Sequence, residues 1–114
     1  KFQMLHELTI YQKCYDLILY ATPIVNKYSC EHRFTIGQQT LNCLLDIARL
    51  IVQANRERDK RRLQFEIDKK LEELRLLIRL AKDLHLLNLQ NYGQMSERIS
   101  EIGRLLGGWI KSGK

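Results

Sequence analysis

Residues 63–87 read LQFEIDKKLEELRLLIRLAKDLHLL. Leu63, Ile67, Leu71, Leu74, Ile78 and Ala81 recur at intervals of four and three. At ~100° per residue they line one side of an α-helix. From Leu76 onward the apolar arc widens: Leu76, Leu80 and Leu87 lie well to one side of that stripe, and Leu77 and Leu84 bridge the gap. An arc over more than half the circumference exceeds the ~100° face of a surface helix. A lone small bundle has nowhere to bury it, so either these leucines meet another subunit or the helix is sandwiched between two others of its own bundle.

Working outward, this helix starts near Asp59, which can cap it, and runs to about Leu87. Upstream, a helix over about Phe34–Arg56 carries one row of Thr40/Leu41, Leu44, Ala48 and Ile51 beside a second of Cys43, Ile47, Leu50 and Ala54. Before it, Ile10, Cys14, Leu17, Ala21, Ile24 and Tyr28 form the seam of a first helix over about Leu5–Ser29. Pro23 should kink or locally break that helix, because it removes a donor and clashes with the preceding turn. Ser29 to Arg33 read as a short polar connection. Downstream, Asn88 to Gly93 supply a turn, with Asn91-Tyr92-Gly93 as the breaker, and a last helix opens near Ser96.

In that last helix Met95, Ile99, Ile102, Leu106, Trp109 and Ile110 share a stripe. Gly103 and Gly107 lie one turn apart on its flank, and Arg104 and Lys111 point the opposite way. A helix-interior glycine costs roughly 1 kcal/mol relative to alanine, so the pair reads as a groove where another backbone approaches. Gly103, Gly107 and Trp109 join Leu76, Leu80 and Leu87 as the expected self-association surface. Short links between long amphipathic helices imply antiparallel neighbours. The expectation is an all-α, up-down four-helix bundle over residues 1–114 as one domain.

Nineteen Lys and Arg against thirteen Asp and Glu leave a net charge of +6, which favours a polyanionic partner. Arg56, Arg58, Lys60, Arg61 and Arg62 fall within seven residues at a helix junction. Arg75, Arg79 and Lys82 follow on the solvent side of the next helix. With Arg104 and Lys111 these are the candidate contacts to nucleic acid or an acidic partner, since arginine meets phosphate in bidentate geometry. The bland alternative is a solvated face with i,i+4 pairs, some supplied by Asp68 and Glu72. No helix-turn-helix pattern is evident, and along the chain the aromatics do not interleave with basic positions as a stacking platform requires.

His6, His32 and His85 with Cys14, Cys30 and Cys43 lack metal-ligand spacing, so neither a metal nor a cofactor is expected. The unpaired cysteines suit a reducing, cytoplasmic setting, and no apolar run approaches the ~20 residues of a membrane span. Arg79 and His85 have a spacing similar to that of HEPN ribonucleases, where histidine acts as acid or base. His85 also projects onto the inward stripe, as a core histidine would.

His32-Arg-Phe-Thr-Ile-Gly37, Leu74-Arg-Leu-Leu-Ile-Arg-Leu-Ala-Lys-Asp-Leu84 and Glu101-Ile-Gly-Arg-Leu-Leu-Gly-Gly-Trp-Ile-Lys-Ser112 carry a resemblance. Together they resemble the accessory variability determinant (Avd) proteins of diversity-generating retroelements, in the right order from about Tyr20 onward. The four-helix proteins encoded in ribosomal-RNA intervening sequences share the first part of the pattern. The resemblance implies a basic bundle that assembles into a homopentameric barrel. It further implies binding of the element's reverse transcriptase and of RNA or DNA, in support of mutagenic copying, with no catalysis of its own. Arg79 and Arg104 fall inside the matched blocks, whereas Arg56 to Arg62 do not. The chain departs from the pattern at Cys30, where the resemblance implies a proline-containing loop.

Overall fold

The computed structural model describes the backbone of residues 2–113 and the side chains of residues 7–113. Four long helices, α1 (Phe2–Val25), α3 (Gln38–Arg56), α4 (Arg61–Asp83) and α5 (Leu89–Ser112), are joined by short links. One turn of helix, α2 (Cys30–His32), and a π-helical turn (Arg33–Gly37) lead into α3. α1 packs on α3 and α5, and α4 on α3 and α5, giving a square of antiparallel neighbours. The α1–α3 face is therefore opposite the α4–α5 face.

The inward stripes hold the square together. All six expected residues of α4 are buried, as are Met95, Ile99, Ile102, Leu106 and Trp109 of α5. On α1, Val25 fills the core place expected of Ile24, which is half-buried. α1 continues two residues past Pro23 before it ends.

The turns depart most from the sequence reading. Residues 29–33 are not a connection: helical backbone starts again at Cys30 and runs through the π-turn into α3. Gly37 sits where that π-turn presses on the end of α1. A Cβ there would stand 3.0 Å from Val25 Cγ1 and 3.3 Å from Tyr28 Cδ2, so any larger residue would require those side chains to give way by a few tenths of an ångström.

α4 stops at Asp83 rather than Leu87. His85 takes a left-handed conformation (φ 64°), Leu86 N–H donates to Ala81 O and His85 N–H to Lys82 O. That is a Schellman closure with histidine where glycine is usual. α5 then opens at Leu89, seven residues before Ser96, because Asn88 Oδ1 accepts from Asn91 N–H at 2.7 Å. Asn91-Tyr92-Gly93, read as a breaker, is helical.

Candidate nucleic-acid interface

The basic junction lies at the end of the bundle where α3 hands over to α4. Arg56, Arg58, Arg61 and Arg62 are exposed there and form no ion pair among the described residues. Lys60 is different. Its Nζ donates to Ala54 O (2.8 Å) and Glu57 O (2.6 Å) at the end of α3 and lies 3.5 Å from Glu7 Oε1. With its side chain only 12% exposed, Lys60 is a helix-end tether and not the solvent-facing cation expected. Asp59 acts one place away from the cap position, accepting from Arg61 N–H at 3.2 Å while Lys60 occupies that position. The last turn of α5, which carries Lys111, comes to this same end, with Ile110 beside Arg61 and Gln64.

A second set of cations follows the outer side of α4. Arg79 is exposed, its Nε 4.0 Å from Asp83 Oδ2. Arg75 is half-buried, 3.8 Å from Glu72 Oε2. Lys82 Nζ lies 3.5 Å from Asp83 Oδ1 and 4.7 Å above the Tyr92 ring. On α5, Arg104 reaches Glu97 at 3.6 Å. Exposed pairs of this kind contribute only ~0–1 kcal/mol, so a polyanion can displace the carboxylates cheaply.

The expected self-association residues divide. Leu76 (65%) and Leu80 (40%) are exposed, joined by Phe65 on α4 and by Leu84 just past its end. Leu87 and Trp109 are corrections: both are buried in the chain's own core. Leu87 is carried inward because the Schellman turn ends α4 before it, and Trp109 belongs to the inward stripe of α5. Gly103 and Gly107 are half-buried on the flank of α5, and no close approach inside the chain requires either. A Cβ at Gly107 would meet nothing within 4 Å, and one at Gly103 only Arg75 Nη2 at 3.6 Å.

Sequence reading missed the opposite face. Leu8, Tyr11, Tyr15 and Leu19 of α1 are exposed along one stripe, beside exposed Leu45 and Val52 of α3. A groove of about 420 Å³ runs between them, lined by Tyr11, Ala48 and Val52 with Arg49 and Arg56 among its cations. The Tyr11 and Tyr15 rings stack, centroids 6.4 Å apart. Aromatics and arginines that never interleave along the chain thus meet in space. The spacing 8, 11, 15, 19 was the available signal.

His85 is exposed in the turn after α4, not in the core. The His6 side chain lies outside the described residues, among which no three His, Cys, Asp or Glu side chains converge as metal ligands. Cys14 and Cys43 are buried, and burial pushes both thiols up to about 12.

Residues 8–113 match the family model described as bAvd-like, a span that includes α3, α4 and α5 and most of α1. The chain belongs to the bAvd-like family. No curated protein matches it. Membership accords with the Avd resemblance of the three sequence blocks, and the family match also includes Arg56 to Arg62, which those blocks left out. Among the described residues of this bAvd-like chain, no helix is long and apolar enough to cross a membrane.

Proposed function

We propose that this bAvd-like protein is a non-enzymatic accessory subunit of a diversity-generating retroelement. It acts in the cytoplasm, holding the element's reverse transcriptase together with template RNA or its cDNA. The observation that carries this reading is the family match over residues 8–113. The distribution of charge supports it: Arg56, Arg58, Arg61 and Arg62 lie exposed at one end, Arg75, Arg79 and Lys82 follow α4, and cations of this kind neutralise backbone phosphates. The mechanism is positioning, with the polymerase supplying the chemistry.

Self-association belongs to the same reading. The α4–α5 face, with Leu76, Leu80 and the Gly103–Gly107 flank, is unlike the α1–α3 face with Tyr11, Leu45 and Val52, and the two are opposite. One copy's first face set against the next copy's second is a head-to-tail contact, which closes into a ring when the rotation allows. Five copies is the number the family resemblance implies.

The test is RNA retention across a salt series. Affinity should fall steeply between low and moderate salt, and charge reversal at Arg75, Arg79 and Lys82 together should weaken binding by about tenfold or more. Salt-independent binding, or none at all, defeats the proposal and favours a generic bundle of the intervening-sequence type. RNA cleavage abolished by His85→Ala would instead identify a HEPN-like ribonuclease.

A further inference from the structure

We propose that neighbouring copies of this chain lock together through one knob and one groove: Phe65 of one copy enters the groove between α1 and α3 of the next. The inference rests on the self-association reading and adds the contact that sets its register.

Both halves are open in a single copy. Phe65, 63% exposed, projects from the first turns of α4, with Asp68 and Ile110 beside it. The groove, about 420 Å³, has Ala48 and Val52 between Tyr11 and Leu45, and its lining holds Arg49 and Arg56 but no carboxylate. The knob carries the opposite charge at Asp68. Three and four places along the helix from Asp68 stand Gln64, Phe65, Leu71 and Glu72, none of them basic. Asp68 makes no ion pair among the described residues, while Glu66 and Glu72 beside it do. An apolar anchor flanked by an acid thus matches an apolar slot flanked by arginines.

The heights match as well. A ring whose axis runs along the bundle turns each copy into the next without changing the height of any residue. α3 ends at Arg56 and α4 starts at Arg61, both at the same end of the bundle. Val52 and Phe65 each stand four residues, ~6 Å, from that end, and Arg49 and Asp68 each stand seven residues, ~10 Å. Phe65 therefore arrives level with Val52, and Asp68 level with Arg49. Tyr11, nine residues into α1, arrives level with Gly103, nine residues before the end of α5. A Cβ at Gly103 would meet only Arg75 Nη2 within 4 Å, so the absent side chain leaves room for the ring. Arg49 already pairs with Asp46 at 2.9 Å, an exposed contact that is cheap to exchange. One meeting opposes the contact: Arg61 arrives level with Arg56.

Sedimentation velocity on two variants, apart and mixed, is the test. Phe65→Asp spoils only the knob and Val52→Asp only the groove, and both positions are exposed, so each variant should keep the helix content of wild type in circular dichroism. Each alone should be a monomer at concentrations where the wild-type chain associates. Mixed, the intact knob of one enters the intact groove of the other, and a one-to-one dimer forms that grows no further. Phe65→Ala should raise the dissociation constant about thirtyfold or more, as loss of a central aromatic anchor does. Asp68→Lys and Arg49→Glu should each weaken association severalfold, and the two combined in one chain should restore most of it. Wild-type association in both Phe65→Asp and Val52→Asp overturns the knob and groove and leaves self-association standing on other residues. A mixture that stays monomeric, or that grows past a dimer, overturns the proposed pairing of one knob with one groove. A wild-type chain that is monomeric at every concentration overturns both readings, and loss of polymerase binding in Val52→Asp would then give the groove to the polymerase.

Discussion

Leu74 and Leu76 stand two residues apart on α4 and meet opposite surroundings: Leu74 is 1% exposed and Leu76 65%. Full burial of a leucine side chain contributes roughly 1.5–3 kcal/mol, so Leu74 and its neighbours in the stripe hold the square of helices together. Leu76, with Leu80 and Leu84, contributes little to the fold of a single copy. The same residue type on the same helix therefore answers two different demands. What a bundle must bury is set by its inward stripe, and apolar area beyond that stripe marks a surface available for docking.

The largest effect tests the inner half of this division. Leu74→Ala should lower the free energy of unfolding by about 2–5 kcal/mol in chemical denaturation, and a loss under ~1 kcal/mol would break the contrast. The core can also be probed without touching a leucine. Cys14 and Cys43 are buried, chiefly desolvation holds their thiols near 12 against an ordinary 9.0, and the folded state therefore keeps the protons. Below pH 9 both states are protonated and nothing is lost. Above it the unfolded chain releases protons that the folded chain retains, so stability should fall as pH rises from about 9 to about 12. For Cys14 alone the loss reaches roughly 2 kcal/mol midway through that window. Denaturation at a series of alkaline pH values should show a shallower decline in Cys14→Val, and an unchanged slope removes the attribution.

The two leucine environments were separable in the sequence because burial on a helix obeys a period, and every predicted stripe residue of α4 is buried. The turns were not legible to the same degree. His85 gives no sequence signal of a left-handed helix end, so α4 was read four residues too long and Leu87 was left outside a core it enters. In the candidate site, exposure of Arg79 and Arg104 could be read from position alone. The tethering of Lys60 could not, because its partners are main-chain carbonyls. Nor could the meeting of Tyr11 with Arg56, which requires α1 and α3 to pack. A left-handed histidine costs more than glycine in the folded state, partly offset by glycine's freer unfolded chain. His85→Gly should accordingly stabilise the protein by roughly 0.5–1 kcal/mol. A rise in Tm confirms that the turn fixes where the inner stripe ends, and a fall means His85 makes a contact that glycine cannot replace.

The smallest stability effect gives the sharpest test of the comparison. Leu76→Gln removes exposed apolar area and leaves no cavity, so monomer stability at high dilution should stay within ~0.5 kcal/mol of wild type. If the α4–α5 face docks against another copy, the same change places an amide in an apolar contact and should lower the mass seen by light scattering at a given concentration. Leu45→Gln, on the opposite face, should lower it too, because a head-to-tail contact uses both surfaces. A fall with Leu76→Gln alone would mean that the α4–α5 face meets its own kind, giving a two-fold dimer and no ring. No fall with either would mean that the outer leucines await a different protein, and the polymerase that the proposed function supplies is then the partner to test against each variant.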